Sequence, residues 1–430
     1  MYETVPLTSR SIDNYSELLG PDIIEELREL AEPLRGARVL NLNLTAFGTG
    51  VADLLSAAVP LLSDLGLDCH WQVVRASEEF SHVTKALYSA LSGDGAAWTG
   101  DLSDIWLRYC EMNARLLDEP FDFVIVHDPQ PAGICGCLES TAAARVRHWV
   151  WHCHMDLSHA NPDAWMQVRM QIDPYDAVVF PFESFLPPGP QPSRLRFIAP
   201  CIDPLGPRNM EIADQAVISL LERHGIDPER PLIAQISPMD EHTDPLGAID
   251  AYLLARKQIA GLQLLLVAAP SPVEHGERGY FERVAERSNA LPDVHVLAGR
   301  DEVGNVELNV LQRASGVVIQ RALTRGFGPW LAEAQWKRRP VVGAPHPGVL
   351  AQVVDGETGY IAATTDDFAA RTVTLLRDHG LAERIGRAAH ASVFHRYLLP
   401  RYLGDVLRLL NELNADLVTI GSHSDVKRPR

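Results

Sequence analysis

Three side chains that can bind a metal or exchange a proton lie on alternating residues of the segment WHCHMDLS. They are His152, His154 and Asp156, and alternating residues of an extended chain point to one face. The sequence has this one cluster, with no second histidine or carboxylate pair at metal-ligand spacing. Zinc is therefore less favoured than a hydrogen-bonding role for His154. We predict no bound metal and no cofactor.

Two further groups of residues follow predicted strands in the first half of the chain. Gly48, Thr49 and Gly50 come after RVLNLNL, and His127 and Asp128 come after FVIV. Glycines at a strand-to-helix turn let the backbone approach a phosphate or a sugar, although a tight turn that needs positive φ uses them too. The His-Asp pair could equally cap a polar turn. The position of both groups at strand ends favours ligand binding.

A comparable arrangement returns in the second half. Gly326, Phe327 and Gly328 open a predicted helix that carries Glu333, after a strand that ends near Arg321. A helix N-terminus behind glycines suits a diphosphate, and a carboxylate two turns later suits ribose hydroxyls. The alternative interpretation is a plain glycine-rich turn.

The elements that position these residues alternate between short apolar runs and longer stretches of helical periodicity, as in βαβ units. Strands are predicted over 38–44, 69–74, 123–126, 146–151 and 177–180, and then over 232–236, 263–267, 294–297, 316–319 and 340–342. Amphipathic helices are predicted over 21–34 and 401–413. Near-continuous apolar strands predict parallel sheets that are covered on both faces.

A proline-rich segment over 187–207 separates the two sets of strands and is the predicted hinge. We expect an α/β protein of two doubly wound, Rossmann-like domains that face each other across a cleft, with ligands at the carboxyl ends of the strands. The predicted domains are 1–203 with the helix 398–416, and 204–397. The tail 417–430 is predicted to be disordered.

Composition excludes several classes of function. The 430 residues carry a net charge of −18, which would repel nucleic acid and anionic membranes. No apolar run has the length of a membrane span, and the N-terminus lacks the pattern of a secretion signal. Six scattered cysteines are typical of reduced thiols. We expect a cytoplasmic protein without nucleic-acid or membrane partners, and the sequence leaves a homodimer open.

Ordered strings of residues along nearly the whole chain resemble those of the trehalose synthases, which are retaining glycosyltransferases with the GT-B fold. The strings are NLT followed by GTGVA, SHVTKAL, HDPQPA, CHMDLS, CIDPL, RASGVVIQ, RGFG, EAQWK and VDGETGY. The resemblance implies transfer of glucose from a nucleoside diphosphate glucose to free glucose, without a catalytic metal. It implies that the C-terminal domain binds the nucleotide and the N-terminal domain mainly the acceptor.

The resemblance also assigns roles to residues. His154 would reach the donor sugar near the reacting carbon, Glu333 would hold the ribose, and Ser237 and Asp240 would lie in the donor site. The sugar-binding set in the N-terminal domain would be Gly48, Thr49, Gly50, His127, Asp128 and Asp156.

The sequence departs from the family where the donor diphosphate is held. The family has an arginine and a lysine after the first strand of the second domain, and Pro238 and Thr243 occupy their places here. The family glutamate before Gly-Phe-Gly is Arg325. Positive charge that meets a leaving diphosphate lowers the barrier to transfer. Arg325, Arg321 and His242 are the candidates to supply it.

Three functions follow from these departures. We expect a transferase that uses a nucleoside diphosphate sugar and a small-molecule acceptor different from those of trehalose synthesis, as in antibiotic biosynthesis. The second is trehalose synthesis in which other residues bind the donor diphosphate. The third is a sugar or nucleotide binder without catalysis.

Overall fold

The computed structural model describes residues 2–93, 95–138, 145–268, 277–297, 303–321 and 326–423, and these form two compact units. The N-terminal unit runs to Ala199 and resumes at Pro400, and the C-terminal unit is Pro200–Leu399. The sequence predicts domain boundaries at 203/204 and 397/398, which are two to four residues away from these positions. None of the helices in the described part of the chain combines the length and apolar character needed to span a bilayer.

The N-terminal unit is built on a seven-stranded sheet in the order β1-β3-β2-β4-β5-β6-β7, in which only β1 is antiparallel to its neighbour. Its strands are β1 (Glu3–Thr4), β2 (Arg38–Asn43), β3 (Asp68–Val73), β4 (Phe121–His127), β5 (Val146–His152), β6 (Ala177–Phe180) and β7 (Leu195–Phe197). Its helices are α1 (Ser16–Leu19), α2 (Pro21–Ala31), α3 (Gly50–Asp64), α4 (Glu78–Leu91), α5 (Gly100–Ala114), α6 (Pro162–Ile172) and, at the end of the chain, α15 (Leu399–His423).

The C-terminal unit contains a six-stranded parallel sheet in the order β10-β9-β8-β11-β12-β13. Its strands are β8 (Leu232–Ser237), β9 (Gln263–Ala268), β10 (Val294–Leu297), β11 (Val317–Gln320), β12 (Val341–Gly343) and β13 (Tyr360–Ile361). Its helices are α7 (Asp214–Arg223), α8 (Pro245–Ala255), α9 (Glu277–Asn289), α10 (Asn305–Ala314), α11 (Pro329–Trp336), α12 (Pro347–Leu350), α13 (Thr365–Arg377) and α14 (His379–Arg396).

Burial explains why the central strands form. All six residues of β8 are buried, and so are six of the seven residues of β4, because crossover helices cover both faces of a parallel sheet. Large side chains such as Trp106, Trp151 and Tyr175 fill the core of the N-terminal unit. This packing fixes the strand ends, where the candidate site residues lie.

The α/β class with two parallel-sheet units is confirmed, with three strands that the sequence did not predict. These are β1, β7 and β13, which have only two or three residues each and lie at or next to a sheet edge. Helix α15 extends to His423, and the predicted disorder of the tail from 417 stays a prediction. Leucines at 410, 413 and 417 keep the helical spacing past the predicted end. Residues 424–430 of the predicted tail lie outside the described residues.

Candidate active site

In the N-terminal unit, the predicted site residues collect at one edge of the sheet. Strands β2, β4 and β5 are parallel neighbours, so their carboxyl ends lie side by side. His127 is the last residue of β4, His152 is the last residue of β5, and each is paired with the other in register. Asn41, near the end of β2, is also buried at this edge. Parallel pairing therefore brings together residues that are up to 111 positions apart in sequence, Asn41 and His152.

Three imidazoles form a cluster at this edge, but its third member differs from the predicted one. Ring nitrogens of His127, His152 and His154 all lie within 4.8 Å of one another. The sequence grouped Asp156 with His152 and His154. That grouping is wrong, because the strand ends at His152 and the Asp156 carboxylate instead accepts hydrogen bonds from the backbone N–H and the hydroxyl of Ser158.

Among the described residues, these three histidines form the group that could hold a metal ion. The orientation of their rings suits hydrogen bonding better than metal binding. The rings of His152 and His154 stack with centroids 4.2 Å apart and planes 27° apart. Ring lone pairs lie in the ring planes, so two nearly parallel rings do not converge on a tetrahedral ion. The predicted absence of a metal stays a prediction.

Burial keeps the cluster uncharged near neutral pH. Loss of solvation lowers the pKa of His127 and His152 well below the usual value, and it lowers the pKa of His154 to about 4. The same effect raises the pKa of the Asp128 carboxyl group to about 7. A set of neutral polar groups at a strand edge is suited to hydroxyl groups.

Asp128 also fixes the backbone beside the cluster. Its φ of 66° is left-handed, a conformation that aspartate tolerates better than most residues. Its Oδ1 accepts a hydrogen bond of 2.8 Å from the backbone N–H of His154. The carboxyl group therefore holds the segment that follows β5, so Asp128 has a structural task in addition to any ligand contact.

The glycine turn after β2 forms the start of α3. Gly48 has a φ of 79°, which requires the freedom of glycine. The Thr49 hydroxyl accepts a hydrogen bond of 3.2 Å from the N–H of Ala52 and so caps α3, whose first residue is Gly50. Sugar binding by this turn stays a prediction. Next to it, Phe47 is exposed to 74%.

In the C-terminal unit, the loop after β8 holds the residues that replace the family cations. Ser237 ends β8 and is buried. The Asp240 carboxylate accepts a hydrogen bond of 2.9 Å from the N–H of Thr243. The Thr243 hydroxyl donates to the carbonyl of Pro238. The loop is therefore closed by its own hydrogen bonds.

Arg321, directly after β11, is held against the start of α8. Its Nε donates a hydrogen bond of 2.9 Å to Oδ2 of Asp244, and its guanidinium lies 4.8 Å from the ring centre of Phe368. Asp244 has a φ of 47°, and its Oδ1 caps α8 through the N–H of Gly247. Within the described residues, the buried Nη1 of Arg321 has no hydrogen-bond partner.

The second glycine turn and its glutamate lie at the start of α11. Gly326 and Gly328 both have positive φ, at 72° and 59°, and Phe327 is buried against the ring of Tyr397. Glu333 is 5% exposed. Its carboxylate lies 3.7 Å from Nη1 of Arg208. Arg325 lies outside the described residues, so its predicted role stays a prediction.

Several residues that shape the two sites were not predicted. Asn41 accepts from His127, Gln235 joins the β8 loop to Arg321, and Asp244 holds the Arg321 side chain. One signal was available in the sequence: Asn41 and Gln235 are polar residues inside apolar strands, and buried polar groups have hydrogen-bond partners.

Comparison with known proteins agrees with this architecture. Residues 41–187 match the family described as "Trehalose synthase, N-terminal domain", and residues 219–392 match "Glycosyl transferases group 1". The solved UDP-forming α,α-trehalose-phosphate synthase from Burkholderia xenovorans has the same fold, with a TM-score of 0.68, 14% identity, and coverage of 87% of this chain and 100% of that one. Fold and family together define a glycosyltransferase of the GT-B class.

Two curated relatives identify the family within this class of glycosyltransferases. A trehalose synthase from Thermococcus litoralis is 33% identical over 415 residues, which are 96% of this chain and 100% of the relative. One from Rubrobacter xylanophilus is 35% identical over 420 residues, with 96% and 99% covered. The chain belongs to the trehalose synthase family.

Proposed function

We propose that this enzyme makes trehalose by transferring glucose from a nucleoside diphosphate glucose to free glucose, with retention at the donor carbon. The observation that carries the proposal is the relationship to trehalose synthases over 96% of the chain. We place this reaction ahead of the antibiotic-type pathway expected from the sequence because the two relatives described above are trehalose synthases.

The N-terminal site is compatible with an unphosphorylated sugar. Its three imidazoles are neutral near pH 7 because they are desolvated. Neutral ring nitrogens exchange hydrogen bonds with hydroxyl groups and do not supply the positive charge that a sugar phosphate would need. In the proposed reaction, His154 holds a hydroxyl of the donor sugar near the carbon that reacts.

The C-terminal site supplies the nucleotide contacts in this proposal. The N–H groups at the start of α11 face the diphosphate, and Glu333 holds the ribose hydroxyls. Arg321 contributes the positive charge through Nη1, which has no partner among the described residues. Arg325, which directly precedes Gly326, is the second cation.

The bond changes balance without a cofactor. The bond between the donor C1 and the diphosphate oxygen breaks, and a bond forms between C1 and the anomeric oxygen of the acceptor glucose. The proton of that hydroxyl leaves with the diphosphate. Negative charge grows on the diphosphate as its bond to C1 breaks, and this is where a positioned guanidinium stabilises the transition state.

The test is to incubate the purified chain, without an affinity tag, with UDP-, ADP- or GDP-glucose and glucose. Trehalose is identified by its digestion with trehalase and by the α,α linkage in the NMR spectrum. His154→Ala is the matched variant, and it should lower kcat while nucleotide binding persists. Transfer to other acceptors but not to glucose would refute the proposal, and tight nucleotide binding without turnover would identify a binder instead.

A further inference from the structure

A chain of hydrogen bonds runs from Asn41 through His127 to His154. Oδ1 of Asn41 lies 3.1 Å from Nε2 of His127, and Nδ1 of His127 lies 3.0 Å from Nε2 of His154. Asn41 and His127 are at most 3% exposed, so water does not replace these contacts. The two residues come from neighbouring strands and the third follows the next strand.

The hydrogen bond between Asn41 and His127 determines which ring nitrogens of His127 and His154 carry a proton. Nδ2 of Asn41 donates to the carbonyl of His70 at 3.5 Å, which turns the amide oxygen toward His127. An amide oxygen only accepts, so Nε2 of His127 must carry a proton. A neutral imidazole has one N–H, and Nδ1 of His127 must therefore accept.

The hydrogen bond between His127 and His154 then determines the tautomer of His154. Because Nδ1 of His127 accepts, Nε2 of His154 must donate, and the remaining nitrogen of His154 has a free lone pair. Within the described residues, His154 forms hydrogen bonds through its backbone N–H and through Nε2 and none through Nδ1. His154 is partly exposed, whereas His127 and His152 are buried.

We propose that Asn41 and His127 are positioning residues that hold His154 in the tautomer protonated at Nε2, so that Nδ1 accepts a hydrogen bond from a sugar hydroxyl. The sugar part of this inference rests on the proposed function, while the tautomer does not. The ligand at Nδ1 is a hydrogen-bond donor, as a polyol is. A phosphate or carboxylate oxygen would meet an acceptor there.

Other contacts hold the ring in place for this role. The backbone N–H of His154 is bound by Asp128, and its ring stacks on His152 at 4.2 Å. His152 in turn stacks on Tyr402, with centroids 6.0 Å apart. The ring is thus fixed by its backbone, by stacking and by the hydrogen bond at Nε2, which leaves the Nδ1 edge for the ligand.

The experiment is ¹⁵N NMR of the full chain labelled at histidine, with His154 assigned by comparison with His154→Gln. Two-bond ¹⁵N–¹H couplings distinguish the two neutral tautomers. We expect the Nε2–H form for His154 in the wild type and in Asn41→Asp, which keeps an acceptor for His127. Asn41→Leu, which removes that acceptor, should give a mixture of tautomers.

Asn43→Leu is the control for general damage to the strand. Asn43 is also buried in β2, and its amide bonds to Trp71 and to the carbonyl of Thr45 and not to His127. This variant should lose stability but keep the tautomer of His154. If Asn41→Leu does not fold, the wild-type spectrum still tests the assignment.

Kinetics then test the sugar contact separately. Asn41→Leu should lower kcat about tenfold, the loss of roughly one hydrogen bond, with an unchanged Kd for the nucleoside diphosphate. A wild-type His154 protonated at Nδ1, or one zinc ion per chain that is lost in His127→Gln, would overturn the inference. The expected tautomer with an unchanged kcat in Asn41→Leu would uphold the hydrogen-bond chain and refute the role of His154 in catalysis.

Discussion

The hydroxyl of Thr243 donates a hydrogen bond to the carbonyl of Pro238. These two residues occupy the places where the trehalose synthases, by resemblance, carry the lysine and arginine that bind the donor diphosphate. Both substitutions therefore meet in one contact, which closes the loop after β8. If the enzyme is active, positive charge must reach the diphosphate from other residues.

Arg321 is the first candidate for that charge. We expect Arg321→Gln to weaken binding of a nucleoside diphosphate about tenfold, because a charge-assisted hydrogen bond is lost, and to leave binding of the free nucleoside unchanged. Isothermal titration calorimetry with both ligands measures the difference. Asp244→Asn, which keeps the cap of α8 but removes the charge that holds Arg321, should strengthen diphosphate binding. Equal losses for nucleoside and nucleoside diphosphate in Arg321→Gln would argue against a phosphate contact.

The closed loop after β8 predicts a rescue. Pro238→Arg combined with Thr243→Lys should restore tight diphosphate binding in the Arg321→Gln background, by about tenfold or more, because two cations return to the site. The control is Pro238→Gln combined with Thr243→Met, which opens the same loop without adding charge. Recovery in the control would show that loop opening, and not charge, was responsible.

Glu333 is expected to bind the ribose. Glu333→Ala should weaken nucleotide binding by about 1–3 kcal/mol, the usual cost of leaving buried polar partners unpaired. The measurement is repeated with the 2′,3′-dideoxy nucleotide, which lacks the hydroxyls concerned. If Glu333 contacts them, the wild type and the variant should bind the dideoxy form with similar affinity. A loss of the same size for both nucleotides would place the effect in the protein, for example in the Arg208 side chain beside Glu333.

Arg325 is predicted from the sequence to act in catalysis. Arg325→Ala should lower kcat/KM at least tenfold, about 1.4 kcal/mol in transition-state binding, because a guanidinium beside the glycine turn would meet the leaving diphosphate. Arg325→Lys, which keeps a charge without the bidentate geometry, should recover part of the loss. Full activity in Arg325→Ala would assign the role to Arg321 or His242 instead.

The buried histidines predict how stability depends on pH. A histidine whose pKa is lowered by folding binds its proton less readily than in the unfolded chain, so acidification below about pH 6.5 favours unfolding. His152 is buried with such a lowered pKa. Its replacement in His152→Phe should therefore gain stability relative to the wild type as the pH falls from 7 to 5, by about 2 kcal/mol.

Urea unfolding at both pH values measures this difference. Asp128, whose raised pKa has the opposite effect in this range, is present in both proteins, as are His127 and His154. These groups are common to both proteins, so the comparison reports the proton binding of His152 together with its coupling to the neighbouring imidazoles. A stability difference between variant and wild type that is the same at pH 7 and pH 5 would show that His152 titrates normally.

The sequence predicted the central strands to within two residues because buried parallel strands are continuous apolar runs, as in QLLLV and FVIV. It did not predict β1, β7 and β13, since strands of two or three residues leave no periodic signal. The cluster of imidazoles was predicted in part. His152 and His154 are close in sequence, but only the pairing of β4 with β5 brings His127 to them.

The partners of the site residues could not be predicted at all. Asn41 and His127 are 86 residues apart, and so are Gln235 and the backbone N–H of Arg321. Such contacts depend on strand order and on the rotation of each side chain. Local sequence patterns contain neither.

The division of the chain also has a consequence for its synthesis. The C-terminal unit is a continuous stretch, Pro200–Leu399, whereas the N-terminal unit needs residues from Pro400 onward. In the N-terminal unit, Asn411 donates to the carbonyl of Leu30, and Arg408 pairs with Glu26. Domains generally fold as units while the chain emerges from the ribosome. Here the N-terminal unit begins to be translated before the C-terminal unit, but it can be completed only after residues from Pro400 onward have been added.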